Sequence, residues 1–185
     1  MVKLISSGAV SLDGYVADLE GNYDWSIPSD DVFAFISWRA RLVGTYLYGR
    51  CMYEEMVEWD TADQRPGQDS LINNFAKIWQ ATDKIVYSTT LGAVSTTRTQ
   101  LKRRFDLQEV EQMKATLEQD IEIAGPCLAG NAIRAGLVDE FQLYLHPVVV
   151  GGGRRFFPTD MRLPLDLVEQ HRFDDGVMFL RYTTH

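Results

Sequence analysis

The chain has 185 residues, of which 45% are apolar and 24% charged, and its formal net charge is −8. That composition suits one globular domain over residues 1–185, with enough apolar material for a real core. The acidic balance argues against a nucleic-acid or anionic-membrane surface, though a local basic pocket can still hold an anion.

Taken in chain order, the opening MVKLISSGAVSLDGY lacks the long apolar core of a signal peptide, and no later run reaches the roughly 20 residues of a membrane span. The two cysteines, Cys51 and Cys127, form no disulfide framework. A cytoplasmic protein with two reduced thiols is the expectation. Residues 2–10 read as a first strand, and a long loop follows, with turn signals at Asp13-Gly14 and Gly21-Asn22. Val32, Phe35, Ile36 and Arg39 share a face at helical spacing, which predicts a helix from Asp30 to Arg41 with Ser29 as N-cap. Val43 to Gly49 reads as a buried strand that stops at glycine, and RCMYEEM begins another helix.

Leu71, Phe75, Ile78 and Trp79 mark the next helix, and DKIVYSTT a short strand ending in three hydroxyls. Leu107, Val110, Met113 and Leu117 mark a further helix. IEIA is a strand, and Leu128 to Leu137 a helix packed through Ala129, Ala132 and Ile133. DEFQLYLHPVVV alternates and then becomes wholly apolar. Asp175-Gly176 between LVEQHRF and VMFLRYT is a two-residue hairpin signal. Strand and helix in alternation, then a run of strands, predict an α/β fold. Its central mixed sheet is mainly parallel, with helices on both faces and a C-terminal antiparallel hairpin. Ligands of such sheets bind beyond the carboxyl ends of the strands.

Three predicted strand ends carry chemistry suited to phosphate. At Gly49-Arg50, glycine permits close approach, and the arginine offers a fork for bidentate binding. Ser88-Thr89-Thr90 supplies neutral donors. In EIAGPCLAGNAI, a strand turns into a helix at Gly125. Pro126 has no N–H but suits a first helical turn, so the donors are the backbone N–H groups of Gly125, Cys127, Leu128 and Ala129. Singly, each glycine does no more than end a strand. Three together at one sheet edge suit a ligand with several phosphates.

SLDGYVAD, GNYDWSIPSDD, YGRCMYEEM, KIVYSTTL and GPCLAGNAIRAGLVDEFQLYLHPVVVGGG occur in that order. Together they resemble the reductase domain at the C-terminus of bifunctional riboflavin-biosynthesis deaminase-reductases, over about Leu4 to Tyr182. The resemblance implies a dihydrofolate-reductase-like fold and NADPH as cofactor. It assigns Gly49 and Arg50 to the pyrophosphate and the adenosine 2′-phosphate. Ser88, Thr89 and Thr90 would flank the adenosine, and Gly125, Pro126, Cys127, Leu128 and Ala129 would receive the pyrophosphate. Ala9, Val16 and Ala17 would line the nicotinamide. The family often carries two or three glycines where this chain has Ala124-Gly125-Pro126.

The resemblance also nominates an acid. In dihydrofolate reductases a tryptophan-x-x-proline-x-acid pattern puts a carboxylate in the substrate pocket, and Trp25-Ser26-Ile27-Pro28-Ser29-Asp30 places Asp30 there, walled by Trp25 and Phe33. The competing reading is a surface aspartate that favours the helix dipole. Asp13, in the shared SLDG, is the second candidate acid, or a turn aspartate before glycine. His146, His171 and His185 have no metal-ligand spacing, so no metal is expected. Arg154-Arg155 reads as a solvated turn. The functional expectation is an NADPH-dependent reductase of a small heterocycle, either a dihydrofolate-like pterin or a riboflavin precursor. No arginine precedes Arg39, which weakens the case for a phosphorylated riboflavin precursor. The alternative is a non-catalytic nucleotide-binding or sensor module. Tyr144, Phe156, Phe157 and Phe179 look exposed and suggest a homodimer interface.

Overall fold

Alternating polar and apolar residues do not by themselves say which face of a strand is wet, and here both faces of most strands are covered. The computed structural model describes residues 2–185. Its strands are β1 (Leu4–Ser11), β2 (Tyr15–Ala17), β3 (Val43–Gly49), β4 (Asp83–Tyr87), β5 (Thr99–Lys102), β6 (Asp120–Ala124), β7 (Glu140–His146), β8 (Arg154–Arg155), β9 (Leu165–Arg172) and β10 (Met178–Thr184). The α-helices are α1 (Asp30–Ala40), α2 (Arg50–Met56), α3 (Ser70–Ala81), α4 (Leu107–Thr116) and α5 (Pro126–Arg134). Eight strands form one sheet in the order β5-β4-β3-β6-β1-β7-β10-β9, and β2 pairs with β8 in a two-stranded ribbon. The neighbours from β5 to β7 run parallel, and β10 is antiparallel to both β7 and β9.

One face of the sheet is filled. Leu4 and Val10 of β1, Leu47 of β3, Ile121 and Ile123 of β6, and Phe141 and Leu143 of β7 pack with Val110 of α4 and with Leu128, Ala132 and Ile133 of α5. The other face carries two separate clusters. Tyr46 and Tyr48 of β3 pack with Phe75 and Trp79 of α3, while Tyr144 of β7 and Phe179 of β10 pack with Val32 of α1. Ile36 of α1 touches both clusters, so α1 spans the gap between them.

The sequence missed β5, β2 and β8, which are short and polar. Residues 147–150, read as a strand, are irregular. α5 begins at Pro126 rather than Leu128 and ends at Arg134, with proline in its first turn. Ser29 holds the N-cap position of α1 but makes no capping bond. The aromatic set expected at a dimer interface is interior: Phe179 is fully buried, Tyr144 and Phe156 nearly so, and Phe157 packs on Phe141 and Phe156. β7 and β10 pair directly, so their alternate aromatic residues stack beneath α1 instead of facing out.

Candidate functional site

The strand order puts β4, β3 and β6 side by side, so the three phosphate-type strand ends are neighbours. In register, Gly49 lies opposite Tyr87, and Tyr48 opposite Ala124. A Cβ at Gly49 would stand 3.9 Å from Cβ of Leu128, and one at Gly125 would stand 3.6 Å from Cβ of Met52. The starts of α2 and α5 therefore touch. Gly125 has φ +93°, a conformation that favours glycine and lets the strand turn at once into the helix. Ala129 donates its N–H to the carbonyl of Gly125, so it is not a free donor as expected. The N–H groups of Cys127 and Leu128 precede Ala129, the first residue whose N–H finds an intrahelical carbonyl, and have no capping side chain.

Arg50 donates through Nε to Glu54, at 2.7 Å, and through Nη1 to the hydroxyl of Thr90, at 3.1 Å. The hydrogen bond to the Glu54 carboxylate raises the pKa of Arg50 above its usual value. Ser88 is buried, and its hydroxyl accepts the N–H groups of Thr90 and Leu91, which makes it the brace of the turn. Thr89 and Thr90 are exposed. A residue the sequence did not flag completes this edge. Arg103 donates to the carbonyls of Ser88 and Leu91, which fixes a second guanidinium against the same turn.

The neighbouring strands form a slot. β1 and β6 lie in the middle of the sheet, yet Ser7, Ala9 and Glu122 on the α1 side remain partly exposed. Tyr46 and Tyr48 flank the slot on β3, and Tyr144 on β7. Trp25 stands at the carboxyl end of β7, its indole edge-on to His146 with ring centroids 5.6 Å apart. Trp25 Nε1 is buried with no partner among the described residues. His146, for which the sequence indicated only that it lacks metal-ligand spacing, is buried. That burial lowers its pKa, a shift partly opposed by Asp175.

The two candidate acids differ sharply. Asp13 accepts hydrogen bonds from the Ser11 hydroxyl at 2.7 Å and from the N–H groups of Val150 at 3.2 Å and Gly151 at 2.8 Å. Loss of solvent pushes its pKa up, but these bonds outweigh that and hold the carboxyl below its usual value. It is an ionised clamp between two loops. Asp30 is exposed in the first turn of α1, beside Asp31. Trp25 and Phe33 do not meet as walls around it: Trp25 stands edge-on to His146, whereas Phe33 packs on Trp59 and Phe75. The three residues assigned to the nicotinamide also separate. Ala9 faces the slot, Val16 packs against the opposite, filled face, and Ala17 is buried in the ribbon. Gly153 lets that ribbon close, since a Cβ there would lie 2.1 Å from the carbonyl oxygen of Ala17. Arg155 lies over the ring of Tyr15 at 4.7 Å.

The comparisons with known proteins agree with this architecture. An uncharacterized protein, YyaP, from Bacillus subtilis (strain 168) is 29% identical over 182 residues, which cover 97% of this chain and 94% of that one. The crystal structure of a putative riboflavin biosynthesis protein from Shewanella superposes with a TM-score of 0.75 at 21% identity, over 100% of this chain and 99% of the other. A deaminase/5-amino-6-(5-phosphoribosylamino)uracil reductase from Thermotoga maritima gives 0.68 at 13% identity, matching 57% of its own length and 100% of this chain. Dihydrofolate reductase from Enterococcus faecalis complexed with NADP(H) gives 0.62 at 14% identity, covering 99% of this chain and 96% of that one. The fold is that of dihydrofolate reductase. Residues 2–179 match the family described as the RibD C-terminal domain, and the chain belongs to that family.

Proposed function

We propose that the chain is an NADPH-dependent reductase of a small heterocycle, of pterin or ribosylaminopyrimidine type. The observation that carries this reading is the juxtaposition of three anion-suited strand ends, on adjacent strands, with a half-open slot on the next strand. The family membership and the relatives' printed activities support the same reading.

The residues fit a dinucleotide phosphate. The uncapped N–H groups of Cys127 and Leu128 would hold the pyrophosphate, beside a glycine whose φ admits close approach. Arg50, steadied by Glu54 and Thr90, would bind the 2′-phosphate, with Thr89 as a neutral donor. When bound, the cofactor supplies hydride chemistry. The protein's part is orientation and exclusion of water. Ala9 gives the flat ring room on β1. Asp13 pins the 11–14 loop to residues 150–151, and Trp25 covers the mouth.

Calorimetric titration with NADPH and with NADH tests the reading. The expected result is a preference for NADPH, and Arg50→Ala weakens NADPH roughly tenfold while leaving NADH unchanged, the size of one charge-assisted contact. Failure of both nucleotides to bind overturns it.

A further inference from the structure

Glu122 lies on β6, in register with Tyr46 of β3 on one side and Ile5 of β1 on the other. Its side chain therefore rises from the sheet toward α1, into the gap between the two aromatic clusters. We propose that Glu122 is the substrate-anchoring acid of this site, and that its carboxylate takes the amidine edge of a flat nitrogen heterocycle. The proposal rests on the slot being the substrate site, and it moves the acid from α1, where the sequence put it, to the floor of the sheet.

Three observations carry it. First, the carboxylate has no partner among the described residues. There, no hydrogen bond acts on it, and the one opposing charge is Arg39 of α1, which itself bonds Gln142 and Glu169. A half-buried carboxylate without partners weakens a fold, so the packing gives no reason for it. Second, its surroundings are aromatic. The titratable groups that face it are Tyr46 and Tyr48 of β3, Tyr144 of β7 and Arg39 of α1. β1 offers the apolar Ile5. Of the tyrosines, Tyr48 is engaged, accepting from the indole of Trp79. Flat rings beside a carboxylate suit a flat ring with two adjacent N–H donors, which pairs with both oxygens. Third, loss of solvent raises the pKa of Glu122 to about 7. At neutral pH it can therefore give a proton to a weakly basic heterocycle or keep it. Asp30, exposed on the first turn of α1, has no comparable setting.

The probe is 2,4-diaminoquinazoline, a flat bicycle with an amidine edge, compared with unsubstituted quinazoline. Calorimetry of the wild-type chain is expected to show at least a tenfold preference for the diamino compound. Glu122→Gln removes that preference, Glu122→Asp restores part of it, and NADPH affinity stays the same in both. In the wild-type chain the side-chain carboxyl carbon resonance of Glu122 shifts on addition of the probe, a readout that needs no variant. Absence of a preference in the wild type, or a preference that survives Glu122→Gln, overturns the proposal. NADPH binding without the preference sinks this proposal alone. A Glu122-dependent preference without NADPH binding sinks the cofactor reading and leaves this one standing.

Discussion

Two glutamates flank Ile5 in the same row of the sheet, Glu122 on β6 and Glu140 on β7, and they live in opposite worlds. Glu140 is 2% exposed and fully partnered. It accepts from Lys3 at 2.8 Å, from Arg181 at 3.2 Å and from Gln142 at 2.8 Å, with Arg39 at 3.6 Å. Burial pushes its pKa up, but these partners outweigh that and hold it below the usual value. Glu122 has no such partners and goes the other way. The same side chain in the same row of the sheet is a structural anion on β7 and an unpartnered acid on β6. Hydrogen-bond partners decide the difference, because both groups lose solvent.

Breaking the partnered site should have the largest effect. Glu140→Gln leaves the cations of Lys3, Arg39 and Arg181 without their shared anion and should cost about 3 kcal/mol in denaturant unfolding at pH 7. The folded pKa of Glu140 is depressed. Its contribution is therefore complete above the unfolded value of 4.5 and lost as pH falls below it, so the variant and the wild type converge in acid.

Glu122→Gln should do the opposite and stabilise by about 2 kcal/mol at pH 8. Here the folded pKa is raised. The penalty is absent below pH 4.5, grows as pH rises toward about 7 and is complete above it, so wild-type stability falls across that window. A flat difference between variant and wild type from pH 5 to pH 8 would show that Glu122 keeps its solvent.

Arg39 touches both environments and sharpens the comparison. Arg39→Met should cost about 1 kcal/mol through Glu140 and raise the pKa of Glu122 further, which carboxyl NMR would read. Lys3→Ala should matter least, by about 0.5 kcal/mol, because the lysine side chain is 42% exposed and its pairing with Glu140 is screened.

The sequence made the strand ends legible and the acid illegible, for one reason. Gly49, Ser88 and Gly125 each interrupt a periodic pattern, and an interruption before a helix is a local signal. Glu122 interrupts nothing: in IEIA it is the polar half of an ordinary alternation, which reads as a wet face. Only the strand order shows that β6 lies in the middle of the sheet, so that its polar residue points toward α1. His146 was hidden in the same way, as a strand residue before proline. Tyr144 and Phe179 were misplaced because their pairing across β7 and β10 is long-range. Arg103 was hidden because β5 itself was too short and polar to see.

The two rims of the sheet bear on how the protein behaves in concentrated solution. β5 is four residues long and ends in Lys102, so it offers little backbone to a stray strand. β9 offers eight residues, with Leu167 and Val168 about half exposed. Asp166, Glu169 and Arg172 are spaced along it, and charges on a rim strand repel edge-to-edge pairing. Resistance to edge-to-edge pairing thus rests on three charges, one of which, Glu169, also holds Arg39 beside the slot, and they should be left alone in any redesign of the chain.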